Sequence, residues 1–126
     1  MKITPVLYVQ RIEDSLPFWV ERLGFTRTVS VPEGDHLGFV VLVKDGAEIM
    51  LQTWEGLRRD APGLLPRGRG TGGALFVEVA DFESVRTQLD GADICLPERN
   101  TFYGMREIGV REPGGHVIVF SAPVEK

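Results

Sequence analysis

The stretch 6-VLYVQRIEDSLPFWVERLGF-25 decides the fold of this chain. It opens with a short β-prone run, residues 6–9, and continues into an amphipathic segment that ends at Gly24. The apolar side chains of that segment have the spacing of one helix face: Ile12, Leu16, Trp19 and Leu23. Glycine commonly follows the last turn of a helix because it adopts positive φ without strain. The stretch therefore predicts a strand followed by a helix.

The same pattern returns 70 residues later. Residues 75–79 read Leu-Phe-Val-Glu-Val, and Asp81 is a suitable N-cap for an amphipathic segment that ends at Gly91. Equivalent residues keep this separation, as Ile12 and Phe82 do. A fixed separation of this kind indicates an internal repeat.

Three strand-like runs with turn residues between them follow each helix. They cover residues 25–32, 37–44 and 47–54 in the first half, and 93–98, 103–111 and 116–121 in the second. We therefore predict an α+β fold of two tandem βαβββ modules, residues 1–54 and 74–126, that form a curved mixed sheet. One helix covers only one sheet face, so the other faces are expected to form a concave cleft for a small molecule.

Residues 55–73 are rich in glycine, proline and arginine and are predicted to link the modules. The arginines of this segment are Arg58, Arg59, Arg67 and Arg69. They would repel a cationic ligand if the segment ran near the cleft, because like charges repel at short range. The role of the segment is open, and a solvated linker without a ligand role is the simpler interpretation.

Composition excludes several classes of function. The chain has 126 residues, of which 43% are apolar, and its 14 basic and 18 acidic residues give a net charge of −4. The basic excess typical of nucleic-acid binding is missing, and no apolar run has the length of a membrane span. A lone cysteine, Cys95, fits a reducing compartment. We expect a cytoplasmic protein with neither nucleic acid nor membrane as a partner.

Two motifs resemble a known family. Pro5-Val6-Leu7, Phe18-Trp19 and Arg22-Leu23-Gly24-Phe25 are similar to the opening of bleomycin resistance proteins, within the glyoxalase or vicinal-oxygen-chelate superfamily. Tyr103-Gly104-Met105-Arg106-Glu107, followed by Arg111-Glu112-Pro113-Gly114-Gly115, resembles the family's later signature, with Glu112 in place of the usual Asp. The resemblance implies paired βαβββ modules and a homodimer.

The resemblance also implies where a metal ion would bind in enzymes of this superfamily. The corresponding positions here are Thr4 and Ile49 in the first module, and Ala74 and Val119 in the second. Three of these side chains have no lone pair to offer, and one threonine hydroxyl does not hold a divalent cation. We therefore expect no metal and no other cofactor.

The two histidines, His36 and His116, are the other candidate metal ligands. His116 follows a glycine pair and is interpreted as the polar start of a strand. His36 follows Glu33 and Asp35 at a turn, where three polar side chains are more often solvated than bound to metal.

Candidate ligand-binding residues follow from strand alternation, on the assumption that the metal-equivalent positions face the cleft. Tyr8, Phe76 and Glu78 then share that face, and Trp54 and Tyr103 add stacking surface at strand ends. Glu33 and Asp35 lie where the resistance proteins carry an acidic loop. Trp19 is assigned to the core.

Three functions remain open. The preferred hypothesis is a metal-free protein that resembles bleomycin resistance proteins and sequesters an aromatic or peptide-like ligand, with bleomycin itself bound weakly or not at all. The second is a lyase, isomerase or dioxygenase with an unusual metal or none, in which Glu78 or Glu107 acts as acid or base; a pKa raised by burial would support it. The third is an interaction module whose cleft is filled by its own side chains.

Overall fold

The computed structural model describes residues 2–66 and 73–124. These residues form two compact units, one on each side of the division between residues 71 and 72. The first unit contains β1 (Val6–Val9), α1 (Ile12–Leu16, which continues as a π-helical segment, Pro17–Arg22), β2 (Thr26–Glu33), β3 (His36–Lys44), β4 (Ala47–Thr53), α2 (Trp54–Asp60) and a 3-10 turn (Pro62–Leu64). The second contains β5 (Ala74–Glu78), α3 (Phe82–Gln88), β6 (Asp93–Asn100), β7 (Met105–Arg111) and β8 (Val117–Pro123). The predicted α+β fold with two βαβββ modules is confirmed.

Each unit has one four-stranded mixed sheet with the same topology. The strand order is β1-β4-β3-β2 in the first unit and β5-β8-β7-β6 in the second, and in each the first strand pairs in parallel with the last. The other neighbours are antiparallel. The first strand of each module is therefore an edge strand, and the last strand lies next to it in the interior of the sheet.

The two predicted helices, α1 with its π-helical continuation and α3, lie in the segments that the sequence indicates. The Asp81 side chain accepts a hydrogen bond from the Ser84 N–H (3.1 Å), which caps α3. Gly24 and Gly91, which follow the two helical segments, both have φ of +81°, a conformation that favours glycine. Pro17 has no N–H to donate, and the helix widens to the π form at this residue.

One face of each sheet is buried beneath its helix. In the first unit the shared register of Leu7, Leu51 and Val40 places these apolar residues on that face, and the last two are fully buried. In the second unit Ile118, Phe120 and Ala122 of β8 are buried in the same way. We call these the core faces and the opposite sides of the two sheets the open faces.

Ile49 lies on the core face, contrary to the sequence prediction. It is 5% exposed and pairs with Leu42, which is also buried, whereas Met50 next to it pairs with Val6 on the open face. The prediction assumed a constant separation of 70 residues between the modules. The registers show that this separation fails at β4, since Val6 pairs with a residue 44 positions later and Phe76 with one 43 positions later, Val119.

The predicted linker also begins differently. Residues 54–60 form helix α2, although Trp54 was expected to end a strand and the rest to be a solvated connection. The Thr53 side chain caps the helix, and Leu57 is 1% exposed, so an apolar anchor holds it to the unit. Arg67, Arg69 and the rest of residues 67–72 lie outside the described residues.

Among the helices described for residues 2–66 and 73–124, none combines the length and the apolar character needed to cross a membrane.

Candidate ligand-binding faces

An aromatic pair lies at the open face of the first sheet. Tyr8 of β1 and Trp54, the first residue of α2, have ring centroids 5.1 Å apart at an angle of 44°. Both side chains are partly exposed. Along the register, Tyr8 is followed by Gln52, Phe39 and Val31. These two predicted ligand residues are therefore adjacent, in surroundings that are mostly apolar.

On the described strands β1 to β4, the rest of the open face carries apolar residues and one ion pair. The next row of the register consists of apolar residues: Val6, Met50, Val41 and Val29. Glu48 is the acidic residue on this face of β4, and its carboxylate accepts a hydrogen bond from Lys2 Nζ at 2.7 Å.

The open face of the second sheet is polar at the corresponding row. The register across the four strands places these residues side by side: Glu78, Ser121, Glu107 and Arg99. Ser121 is fully buried, and its Oγ has no hydrogen-bond partner within residues 2–66 and 73–124. Phe76, two residues before Glu78 on the same face, is 59% exposed.

Glu107 is a buried carboxylate in this row that accepts several hydrogen bonds. It is 2% exposed and accepts hydrogen bonds from Arg99 Nε (2.9 Å) and Nη2 (2.7 Å) at Oε1, and from the Tyr103 hydroxyl (2.9 Å) at Oε2. The hydrogen bonds from Arg99, with a smaller contribution from Tyr103, hold the pKa of Glu107 below its usual range. The raised pKa that would support a catalytic Glu107 is therefore not found. Tyr103, which is half exposed, donates its hydroxyl hydrogen bond to this carboxylate.

Glu33 and Asp35 do not join the open-face residues. Glu33 accepts a hydrogen bond from Thr53 Oγ1 at 2.8 Å, and Thr53 follows Ile49 and Leu51 on the core face of β4. The Asp35 side chain is fully exposed and contacts His36 Nδ1 at 3.2 Å. Sequence reasoning missed Thr53 and Arg59 as partners of Glu33, because they follow it by 20 and 26 residues and carry no motif.

The superfamily's metal positions do not fit a divalent ion in this chain. With the register corrected, the open-face residue of β4 that matches Val119 is Met50, so Thr4, Met50, Ala74 and Val119 occupy these positions. A thioether, a hydroxyl and two aliphatic side chains are not the donor set of Zn²⁺, Mg²⁺ or Ca²⁺.

A second group of possible ligands lies elsewhere in the first unit. One ligand atom each from Glu33, His36 and Glu55 lie within 4.8 Å of one another. The Glu33 carboxylate, however, is already bonded to Thr53 and to the Arg59 guanidinium. A cation would have to displace both, and we assign no metal to this group.

Comparison with known proteins places the chain in a family. The sequence matches the profile of the Glyoxalase/Bleomycin resistance protein/Dioxygenase superfamily over residues 3–120. The chain belongs to this superfamily. No curated protein sequence matches it.

Solved structures share the fold at low sequence identity. TioX from Micromonospora sp. ML1 is 22% identical, with a TM-score of 0.75 over 98% of this chain and 99% of that one. A lactoylglutathione lyase from Agrobacterium tumefaciens is 16% identical, with a TM-score of 0.74 over 97% and 92%. A glyoxalase/bleomycin resistance protein/dioxygenase family enzyme from Burkholderia phytofirmans PsJN is 16% identical, with a TM-score of 0.77 over 96% and 97%. At these identities the similarity concerns the fold alone.

Proposed function

We propose that the protein binds a small aromatic or peptide-like molecule without a metal ion and without altering it, in the manner of bleomycin resistance proteins. The observation that carries the proposal is the partly exposed Tyr8–Trp54 pair on the open face of the first sheet. Aromatic faces attract planar ligands by stacking as well as by burial of apolar area. The donor set at the superfamily's metal positions supports binding without a metal.

The charge distribution favours a neutral or mildly anionic aromatic ligand. Glu48, the acidic residue on the open face of the first unit, is paired with Lys2, and Glu33 lies on the other side of the sheet. On the described strands of this sheet, Glu48 is the carboxylate on the face that carries Tyr8, and its pairing with Lys2 leaves little to attract a bulky cation such as bleomycin. We expect weak binding of bleomycin or none.

The two alternative functions have less support. The hypothesis of an acid–base enzyme loses one of its two candidate carboxylates, because Glu107 is ion-paired with Arg99 and its pKa is lowered. The interaction module with a self-filled cleft requires large side chains that close the open faces. Val6 and Phe76 are instead 38% and 59% exposed.

A thermal-shift screen tests the proposal. The protein is treated with chelator and screened against neutral aromatic metabolites, anionic aromatic metabolites and metal-free bleomycins. A ligand present at 100 times its dissociation constant adds about 2.7 kcal/mol to the stability of the folded state. We expect stabilisation by members of the first two sets that is lost in Tyr8→Ala and kept in Phe76→Ala, an aromatic-to-alanine control on the open face of the other unit.

Two results would overturn this proposal. One is a large shift with metal-free bleomycin that the Tyr8→Ala variant keeps. The other is stabilisation that occurs only after a divalent metal is added back.

We also propose that the protein forms a homodimer. Its support is apolar surface on the strands at the sheet edges, where Val29 and Val31 of β2 are 44% and 47% exposed and Ile94 of β6 is 40% exposed. Twofold association would bury such surface on both copies. Sedimentation velocity at micromolar concentration is expected to show a dimer, and a monomer alone would contradict the proposal.

A further inference from the structure

Glu33 is unusually buried for a carboxylate next to a turn. It is the last residue of β2, yet its side chain is only 10% exposed. It lies over Gly38, where an added Cβ would come within 2.8 Å of Glu33 Cβ and 2.9 Å of its Oε2. The absence of a side chain at residue 38 therefore lets this carboxylate cross the neighbouring strand.

The Glu33 carboxylate contacts both ends of α2. Thr53 Oγ1 donates to Glu33 Oε2 (2.8 Å) and accepts from the Gly56 N–H (3.0 Å), which caps the helix. In the last turn of the helix, Arg59 donates to Glu33 Oε1. One carboxylate thus connects the N-cap of α2 with its last turn.

The helix needs such anchoring. It has seven residues, and helices of this length are not stable in water without tertiary contacts. Leu57 supplies an apolar anchor because it is 1% exposed. The orientation of α2 also determines where its first residue, Trp54, places the indole ring.

We propose that Glu33 is a positioning residue that fixes α2 through Thr53 and Arg59 and thereby holds Trp54 against Tyr8. The sequence prediction placed Glu33 in contact with a ligand; here it acts through the helix. This inference rests on the proposed function in one respect: the Tyr8–Trp54 pair is taken as the ligand site.

The groups around Glu33 favour the ionised form of its carboxylate. The hydrogen bond from Thr53 and the Arg59 guanidinium lower the pKa of Glu33 below its ordinary value of 4.5, although burial opposes the shift. Two other titratable groups lie beside it: His36 Nε2 is 3.5 Å from Glu33 Oε2, and a Glu55 carboxylate oxygen lies within 4.8 Å of both. Further charges act on these neighbours, Glu13 and Asp35 on His36 and Asp60 on Arg59. Protonation of Glu33 should weaken its bond with Arg59.

Nuclear magnetic resonance of the two tryptophan indoles tests the proposal without a ligand. The ¹H–¹⁵N spectrum contains one indole signal from Trp54 and one from Trp19, which is 2% exposed in the core and reports on overall folding. The variants are Glu33→Gln, Arg59→Gln and the charge-matched control Glu21→Gln, at an exposed helical residue. A Trp54→Phe variant assigns the signals.

We expect Glu33→Gln and Arg59→Gln to move or broaden the Trp54 signal and to weaken the nuclear Overhauser effects between the Tyr8 and Trp54 rings. The Trp19 signal should stay in place, and Glu21→Gln should change neither. In the wild type the Trp54 signal should respond to acid with a midpoint below pH 4.5, because the pKa of Glu33 is lowered, and Arg59→Gln should raise that midpoint.

An unchanged Trp54 signal and unchanged ring contacts in Glu33→Gln would overturn the proposal. If that variant loses both folded indole signals, Arg59→Gln decides by the same criteria, since the Arg59 side chain is 58% exposed and its loss should not unfold the chain. A failed ligand screen with these spectral changes present would reject the binding function and leave the role of Glu33 intact.

Discussion

The two open faces differ at equivalent positions of the same sheet topology. The first carries Tyr8, Gln52, Phe39 and Val31 in the row where the second carries Glu78, Ser121, Glu107 and Arg99. The core faces, in contrast, keep apolar residues in both units, as at Leu51 and Phe120. Packing against a helix constrains the core face of each repeat, and the two units differ on the faces opposite those helices.

The largest expected effect tests which face each residue of β4 occupies. Ile49→Ala should lower the free energy of unfolding by about 2–5 kcal/mol, because it leaves a cavity in the core. Met50→Ala, one residue later on the open face, should cost clearly less. Urea unfolding measures both variants. Equal losses would contradict the corrected register and with it the comparison of the two open faces.

The repeat itself was predictable because it rests on local signals. Alternation and helix spacing recur in both halves, the second half adds the Asp81 cap, and each of these signals concerns neighbours in sequence. The face of Ile49 was missed because one residue fewer separates the paired strands of the second unit. The polar Glu48 and Gln52 on either side of the run Ile49–Leu51 carried the signal that would have corrected it.

The site was less predictable because its contacts join distant residues. Helix α2 starts from a Thr53 cap, but Gly56 and the arginines resemble a linker in composition. No local pattern indicates that Glu33 reaches across Gly38 to residues 20 and 26 positions away. The Tyr8–Trp54 pair was predicted as two separate candidates, and only the parallel pairing of β1 with β4 brings them together.

The second prediction tests the aromatic face against the polar one. Tyr8→Ala should weaken binding of an aromatic hit from the screen about tenfold or more, since the loss of stacking and buried area amounts to roughly 1.4 kcal/mol or more. Glu78→Gln, at the equivalent position of the second unit, should weaken it by less. Isothermal titration calorimetry measures both affinities. The opposite order would assign the ligand to the polar face.

A third, smaller effect concerns the polar face alone. Tyr103→Phe removes one hydrogen bond to the Glu107 carboxylate and should cost about 1 kcal/mol. Because the folded pKa of Glu107 is lowered, its contribution is present above the unfolded pKa and is lost as the pH falls through the folded value. Thermal unfolding between pH 7 and pH 3 should therefore show the difference between variant and wild type shrinking in acid. A constant difference would indicate that the Tyr103 hydroxyl stabilises the fold independently of the Glu107 charge.

The smallest effect belongs to the first unit. The hydrogen bond with Asp35, assisted by Glu33, raises the pKa of His36 above 6.5. A raised folded pKa gives stability that is complete below the unfolded pKa and is lost as the pH rises through the folded one. The melting temperature of the wild type should therefore decline slightly above pH 6.5 relative to His36→Gln. Parallel curves for the two proteins would show that this histidine contributes nothing through its charge.

Mapping of a bound ligand tests most directly whether the first open face is the binding site. An aromatic hit is titrated into chelator-treated, ¹⁵N-labelled protein, and the chemical-shift changes are placed on the sequence. We predict that the largest changes fall on Tyr8, Gln52 and the Trp54 indole, with the Trp19 indole unmoved and no need for added metal. Changes confined to residues 74–124, or binding that appears only with a divalent metal, would contradict the account.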